Sequence, residues 1–356
     1  MKPHTRLRKL LFAAPALVLL AGCQRPQSSL FPQGPAAGKI APLSWLMIIL
    51  FLVITFIMWV LIVWGIFRRR GTFKEHAPVD IGGGQGWIGI GGFGIPFIVL
   101  CILFVLGLRA MAGFPIKDGN PLSPAPEILV IGHQWWWEVH YVKGGPDQYF
   151  NTANEIHVPI GKPVDIELAS DDVIHSFWIP ALHGKVDLVP GQSNYIRIQA
   201  DHEGTFSGQC AEYCGAQHAN MKLIVVAQQP QDYEAWLAHQ REPAKQPTEP
   251  DALEGQQVFL AAPCTLCHQV RGTLAGGSVA PDLTHIGSRK GIAANMLINN
   301  QANLAAWITH AQSLKPAAAM PTLLNLTANS CAIWWLICSN CSDKDDEDFF
   351  LSKEDS

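Results

Sequence analysis

Apolar positions cluster unevenly along the 356 residues. The first apolar run, Leu10 to Leu20, follows a basic segment holding Lys2, Arg6, Arg8 and Lys9, and it ends in Leu20-Ala21-Gly22-Cys23. It is too short to span a bilayer, so it predicts an export signal over residues 1–22 rather than a membrane helix. Two longer runs follow an N-terminal linker over residues 23–42, from about Leu43 to Phe67 and from about Trp87 to Leu108. Each reaches the roughly 20 helical residues that a ~30 Å hydrocarbon core requires. Arg68, Arg69 and Arg70 close the first run and place that end in the cytoplasm. The second is glycine-rich at its start, and Pro96 predicts a kink. The pattern thus predicts a helical hairpin within residues 43–112, with everything beyond about Ala112 outside the cytoplasm.

Beyond residue 123 the pattern changes. Short runs rich in β-branched residues, at Glu127–Gly132, Glu155–Val158, Val164–Leu168, Asn194–Ile198 and Lys222–Ala227, are separated by Gly, Pro and Asn. They predict an all-β sandwich or barrel of about 100 residues, ending near Gln228. Residues 229–250 turn to Gln, Pro, Glu and Lys and read as a linker with a short helix around Tyr233 to His239. From Asp251 to about Ser330 the pattern is helical, with Gly255, Val258 and Phe259 ahead of Cys264.

Composition agrees with a membrane-associated chain: 49% of residues are hydrophobic and 15% charged. The net charge of −4 gives no reason to expect nucleic acid as a partner. Nine cysteines, an odd number, argue against a simple disulfide framework and turn attention to their spacing.

The densest chemistry lies in Cys210-Ala-Glu212-Tyr-Cys214-Gly-Ala-Gln-His218-Ala-Asn-Met221. Two thiolates, an imidazole and a thioether select copper over hard cations. His175, at the end of a predicted strand, offers a second imidazole. Two bridging thiolates with one histidine per metal suit a pair of coppers sharing an electron, an arrangement that reorganises little when it gains or loses one. A Cys210–Cys214 disulfide and a zinc site are the alternatives, and neither gives Met221 a purpose. A second set, Cys264-Thr-Leu-Cys267-His268, is the c-type haem attachment signature, with His268 set to bind the iron. A methionine would complete the iron's ligation and raise its potential. Met320, in Lys315-Pro-Ala-Ala-Ala-Met320-Pro321, is preferred to Met296, which falls in a helical apolar run and reads as core.

Across residues 40–228 the chain resembles cytochrome c oxidase subunit II, through the C-x-E-x-C-x3-H-x2-M loop and Gly132-His133-Gln134-Trp135-Trp136-Trp137. Its last part resembles small class I cytochromes c, through the haem signature and Ala280-Pro281-Asp282-Leu283-Thr284. The resemblance implies a multidomain protein: a two-helix transmembrane hairpin, an all-β cupredoxin-like domain and a small all-α cytochrome c domain. It implies that Cys210 and Cys214 bridge a dinuclear copper-A centre, with His175 and His218 binding one copper each. Met221 would ligate one copper and the Glu212 carbonyl the other, while the Glu212 side chain reaches a magnesium ion shared with subunit I. Trp135 would be where electrons from cytochrome c come in; the family commonly has tyrosine where Trp136 stands. Met320 holds the late, loop-borne position of the haem methionine, and the Pro281 carbonyl would fix His268. Cys23 matches the lipidated cysteine of bacterial lipoproteins, with a plain signal peptide as the alternative.

The implied function is electron relay in an aerobic terminal oxidase of the bacterial inner membrane. A cytochrome c or another donor on the periplasmic side reduces the fused haem c, copper A follows, and subunit I reduces oxygen to water and pumps protons. This chain is a component of that oxidoreductase, since it lacks the many membrane helices an oxygen-reducing centre needs. A quinol oxidase subunit would lack Cys210 and Cys214; a nitrous-oxide reductase would carry a large separate catalytic domain. A copper-carrying binding protein would not need two membrane helices and a haem. One segment does not fit. After Leu326-Thr327, where a closing cytochrome helix should start, residues 331–356 bring Cys331, Cys338, Cys341, two tryptophans and an acidic end. A shifted reading frame near Asn329 accounts for this, with a divergent tail as the alternative.

Overall fold

The computed structural model describes residues 27–68, 84–112, 114 and 126–322. The expected signal segment, the lipidation site Cys23, Arg69, Arg70, Leu326, Thr327 and the anomalous tail lie outside the described residues.

Helix α1 spans Pro35–Phe67 and so starts eight residues before the apolar run, inside the segment expected to be a linker. Its first turns are anchored: Ala36, Ala37 and Ala41 are buried, and Ala37 N donates to Leu182 O of the β-domain at 3.1 Å. From Leu46 to Phe67 its large apolar side chains are mostly exposed, as lipid-facing groups are. Helix α2, Gln85–Ala112, pairs with it. Residues Ile88–Gly94 of α2 are π-helical, directly ahead of Pro96. The wide turn, permitted by Gly89, Gly91, Gly92 and Gly94, meets the place where the proline lacks a donor, and the expected irregularity takes this form.

The β-domain packs two five-stranded sheets face to face. The first runs β3 (Phe150–Ala153), β2 (Trp136–Tyr141), β1 (Ile128–His133), β5 (Val164–Ser170), β8 (Asn194–Ile198). The second runs β4 (Glu155–Pro159), β10 (Lys222–Gln228), β9 (Gly204–Cys210), β6 (His175–Trp178), β7 (Val186–Leu188). Strict alternation on β1 and β2 turns Ile128, Val130, Trp137 and Val139 inward, where they meet Phe177, Leu223 and Val225 of the other sheet. The β1–β5 and β10–β4 pairs are parallel and the rest antiparallel, so each sheet is mixed. His175 begins β6 rather than ending a strand.

The expected linker is largely ordered. Helix α3, Pro230–Arg241, buries Tyr233 and Leu237 against the β-domain, and Trp236 stacks on His157 at 3.9 Å. A three-to-four spacing of large apolar residues turned a polar stretch into an amphipathic helix. The last domain packs α4 (Pro250–Ala261) and α5 (Gln301–Leu314) around Ala252, Phe259, Val270, Ile286 and Leu304. It is not purely helical: β11 (Gly291–Ile292) and β12 (Leu297–Ile298) form a short hairpin. Met296 lies in that hairpin and not in a helix, because Ala293, Ala294 and Asn295 all take positive φ and turn the chain.

Candidate metal centres and their shared wall

The copper-type donors converge at the edge of the second sheet. Cys210 ends β9, His175 opens the neighbouring β6, and the loop after Cys210 folds back to place Cys214, a 3-10 turn at His218–Asn220, and Met221 at the start of β10. The sulfurs of Cys210 and Cys214 stand 3.8 Å apart. That is far beyond the ~2.05 Å of a disulfide, so the disulfide alternative is not formed. His175 Nδ1 lies 3.9 Å from the Cys210 sulfur, and His218 Nδ1 lies 3.6 Å from the Cys214 sulfur. Met221 Sδ is 3.8 Å from Cys214 Sγ, and the Glu212 carbonyl is 3.2 Å from Cys210 Sγ. Donors at about 2.0–2.3 Å from a tetrahedral ion sit ~3.5–3.8 Å from each other, so these spacings suit metal ligation. The donors also pair off, one imidazole beside each sulfur, as two metal ions sharing two sulfurs require. His175, Cys210, Cys214 and Met221 are all buried.

Electrostatics favour a cation here. Hydrogen bonding from Cys214 outweighs burial and, with His175 helping, holds the Cys210 thiol well below its ordinary value. The Cys214 thiol is pushed well above its ordinary value by the Cys210 sulfur beside it and by burial. Two thiols this close resist ionising together, and a metal ion bound to both would relieve that repulsion. His175 is oriented from behind: Asp172 Oδ1, 2.7 Å from Nε2, can only accept, so Nε2 carries the proton and Nδ1 faces the sulfurs. Sequence reasoning passed over Asp172, although a carboxylate three residues before a ligand histidine is a readable signal. It also passed over Gly132 of β1, where a Cβ would lie 2.8 Å from His175 Cδ2. The Glu212 side chain is exposed, 3.6 Å from Lys185 Nζ.

The second site is a largely apolar cavity of about 340 Å³. Cys264, Cys267, His268 and Met320 line it, while Met296 does not number among its lining residues. His268 Nδ1 donates to the Pro281 carbonyl at 2.7 Å, which leaves Nε2 as the free lone pair. Burial pushes His268 below its ordinary value and keeps it in the neutral, ligating form. Two thiols, a neutral imidazole and a thioether around an apolar hollow fit a covalently attached haem.

The hollow is not closed by its own domain. Gln134, Trp135, Trp136 and Asn154 of the β-domain complete the wall. Trp135 sits in the β1–β2 turn, while Trp136 and Trp137 alternate on β2. It is nonetheless buried, and its indole N–H donates to the Cys214 carbonyl at 3.0 Å. Gly215, at φ +113°, lets that ring close in, since a Cβ there would be 3.1 Å from Trp135 Cζ2. Trp136 is half-exposed and stacks on His133 at 4.5 Å. One indole thus touches both candidate sites.

Comparison with known proteins gives concordant results. The family described as cytochrome c oxidase subunit II, periplasmic domain, matches residues 142–228, and the cytochrome c family matches 252–329. Cytochrome c oxidase subunit 2 of Alkalihalophilus pseudofirmus is 36% identical over 310 residues, covering 85% of this chain and 88% of its own length. The Bacillus subtilis protein of the same name is 30% identical over 338 residues, covering 90% and 92%. The solved periplasmic domain of subunit II of the Bradyrhizobium japonicum cytochrome oxidase matches 33% of this chain and 96% of its own length, at 29% identity and a TM-score of 0.30.

Proposed function

Because the chain belongs to the cytochrome c oxidase subunit II family, and is a membrane-anchored component of a haem–copper oxidoreductase with a cytochrome c domain, we propose that it is the electron relay of that oxidase. In this reading Cys264 and Cys267 tether haem c, and His268 and Met320 ligate its iron. Cys210, Cys214, His175, His218, Met221 and the Glu212 carbonyl hold copper A. Bound there, haem c would supply single-electron acceptance from a periplasmic donor such as cytochrome c, and copper A would supply single-electron transfer towards subunit I, where oxygen would be reduced and protons pumped. The chain's own residues bury His175, Cys210, Cys214 and Met221 and fix the His175 and His268 tautomers. The Glu212 carboxylate faces outward and takes a magnesium ion at the boundary with subunit I. The membrane is the bacterial inner membrane, with both metal domains on its periplasmic side.

The observation that carries this reading is the shared wall. Trp135 lines the haem hollow and hydrogen-bonds the backbone of Cys214, so the two centres are separated by one aromatic ring and one peptide group. The test is spectroscopic. Cys210→Ser should abolish the near-infrared copper band while the haem α-band persists, and His268→Ala should do the reverse. A Cys210→Ser protein that keeps its copper band refutes the assignment. The cytochrome c match stops at Asn329, as it would at a frame change or at the start of a divergent tail. Resequencing that returns an intact frame, without an insertion or deletion relative to close relatives, removes the idea.

A further inference from the structure

Lys315 is buried, an unusual state for a lysine, and its ammonium has no carboxylate partner among the described residues. Nζ instead donates to three carbonyls: Trp135 at 2.8 Å, Asn220 at 2.9 Å and Ala293 at 3.1 Å. These belong to three separate pieces of chain. Trp135 is in the β1–β2 turn at the shared wall, Asn220 lies between His218 and Met221 of the copper loop, and Ala293 belongs to the β11–β12 hairpin of the haem domain. An ammonium has three donors, so all three are used. The neighbouring residue adds to the joint, since Gln217 Nε2 donates to the Pro316 carbonyl at 2.9 Å and Gln217 Oε1 accepts from Asn220 at 2.7 Å. The stretch from 315 to 320 that ends in the candidate haem methionine is thereby tied to the stretch from 217 to 221 that carries two candidate copper ligands.

We propose that Lys315 is a positioning residue for electron transfer between the two centres, its ammonium clamping the haem-methionine loop onto the copper loop through the carbonyls of Trp135, Asn220 and Ala293. This rests on the reading of the two sites given above. Burying a charge is costly, and hydrogen bonds to oriented carbonyls offset it, with attraction from the Cys214 sulfur adding to them. A neutral residue of similar length would pack there at lower desolvation cost, so packing alone does not account for a lysine. What the ammonium adds is three directed bonds that fix one domain against the other. The step it serves moves one electron from the haem iron to the copper pair, with no bond broken and no proton displaced. Its rate depends on how the two sites are placed, because the electronic coupling between them weakens as their separation grows.

The experiment uses the full oxidase with Lys315→Met, which keeps length and loses the donors, and Lys315→Arg, which keeps a cation with donors. Two readouts are taken. One is the rate at which the haem α-band reoxidises and the copper near-infrared band bleaches after flash photoreduction. The other is hydrogen–deuterium exchange of the Lys222 and Lys290 amides, which bond across the domain interface to Ala294 O and Glu155 Oε2. With Lys315→Met the transfer should slow several-fold with both bands intact, and the two amides should lose protection. Lys315→Arg should recover part of each. Wild-type rate and protection in Lys315→Met overturn the proposal, and so does equal slowing in the Arg variant. If Lys315→Met does not mature, Lys315→Gln takes its place with the same expected results. Failure of the site reading itself is separate: it shows as a missing band in the unsubstituted protein, and amide exchange tests the clamp whether or not metals are bound.

Discussion

Replacing Gly132 by alanine tests whether the β-scaffold holds His175 as tightly as a metal ligand requires. Gly132 lies within β1, opposite Trp137 on one side and Ser170 on the other. By backbone preference alone, alanine inside a strand would be favoured over glycine by roughly 0.5–1 kcal/mol. The local geometry opposes this. The new Cβ would stand 2.8 Å from His175 Cδ2, 3.1 Å from His175 Cγ and 3.3 Å from Leu188 Cδ2. Ordinary carbon contacts begin near ~3.5 Å, so the imidazole must retreat by roughly 0.7 Å. It has little room: it is fully buried, bonded to Asp172 at 2.7 Å and packed edge-on against Trp137. Overpacking of this kind costs about 1–3 kcal/mol, which exceeds the propensity gain. Metal sites tolerate donor displacements of only about 0.2 Å. Copper affinity should therefore fall at least ~10-fold, equivalent to about 1.4 kcal/mol. The assay is copper content and near-infrared absorbance per haem at fixed free copper, with the haem α-band as internal reference. A Gly132→Ala protein that loads copper like wild type, with an unchanged band, would refute the argument that this glycine makes room for the ligand.

Two further predictions concern groups beside the copper ligands and the tryptophan turn. Asp172→Ala leaves His175 Nε2 without its acceptor, and copper affinity should drop about 10- to 100-fold, measured by competition with a chelator; an unchanged affinity would mean the carboxylate does not orient the ring. Glu138 tests pH dependence: burial works to raise its carboxyl, but hydrogen bonds and attraction from His133 and His140 hold it down at about 2 instead of 4.5. A carboxyl depressed in the folded state contributes stability that is present above its unfolded value and lost as pH falls through the folded one. Stability against urea should therefore fall between about pH 4.5 and pH 2, and Glu138→Gln should flatten that slope; identical slopes in both proteins would show that the cluster does not act this way.

Much of this protein was written in short-range pattern. Length and polarity set the two membrane helices, alternation set β1 and β2, and fixed spacing within one loop or one turn brought out Cys210, Cys214, His218 and Met221, and Cys264, Cys267 and His268. Such signals are legible because neighbours in sequence stay neighbours in space when one loop wraps one ion or one porphyrin. Tertiary structure alone decided the rest. Polar α3 became ordered because Tyr233 and Leu237 found a surface to cover. Met296 left its expected helix because three consecutive residues with positive φ turned the chain into a hairpin. Gly132 matters only through the ring of a residue 43 positions away, and Lys315 bonds a carbonyl 180 positions away. No local pattern encodes a bond of that span; it exists because two separately folded domains meet, and only their meeting removes the ammonium from water and gives it three carbonyls in return.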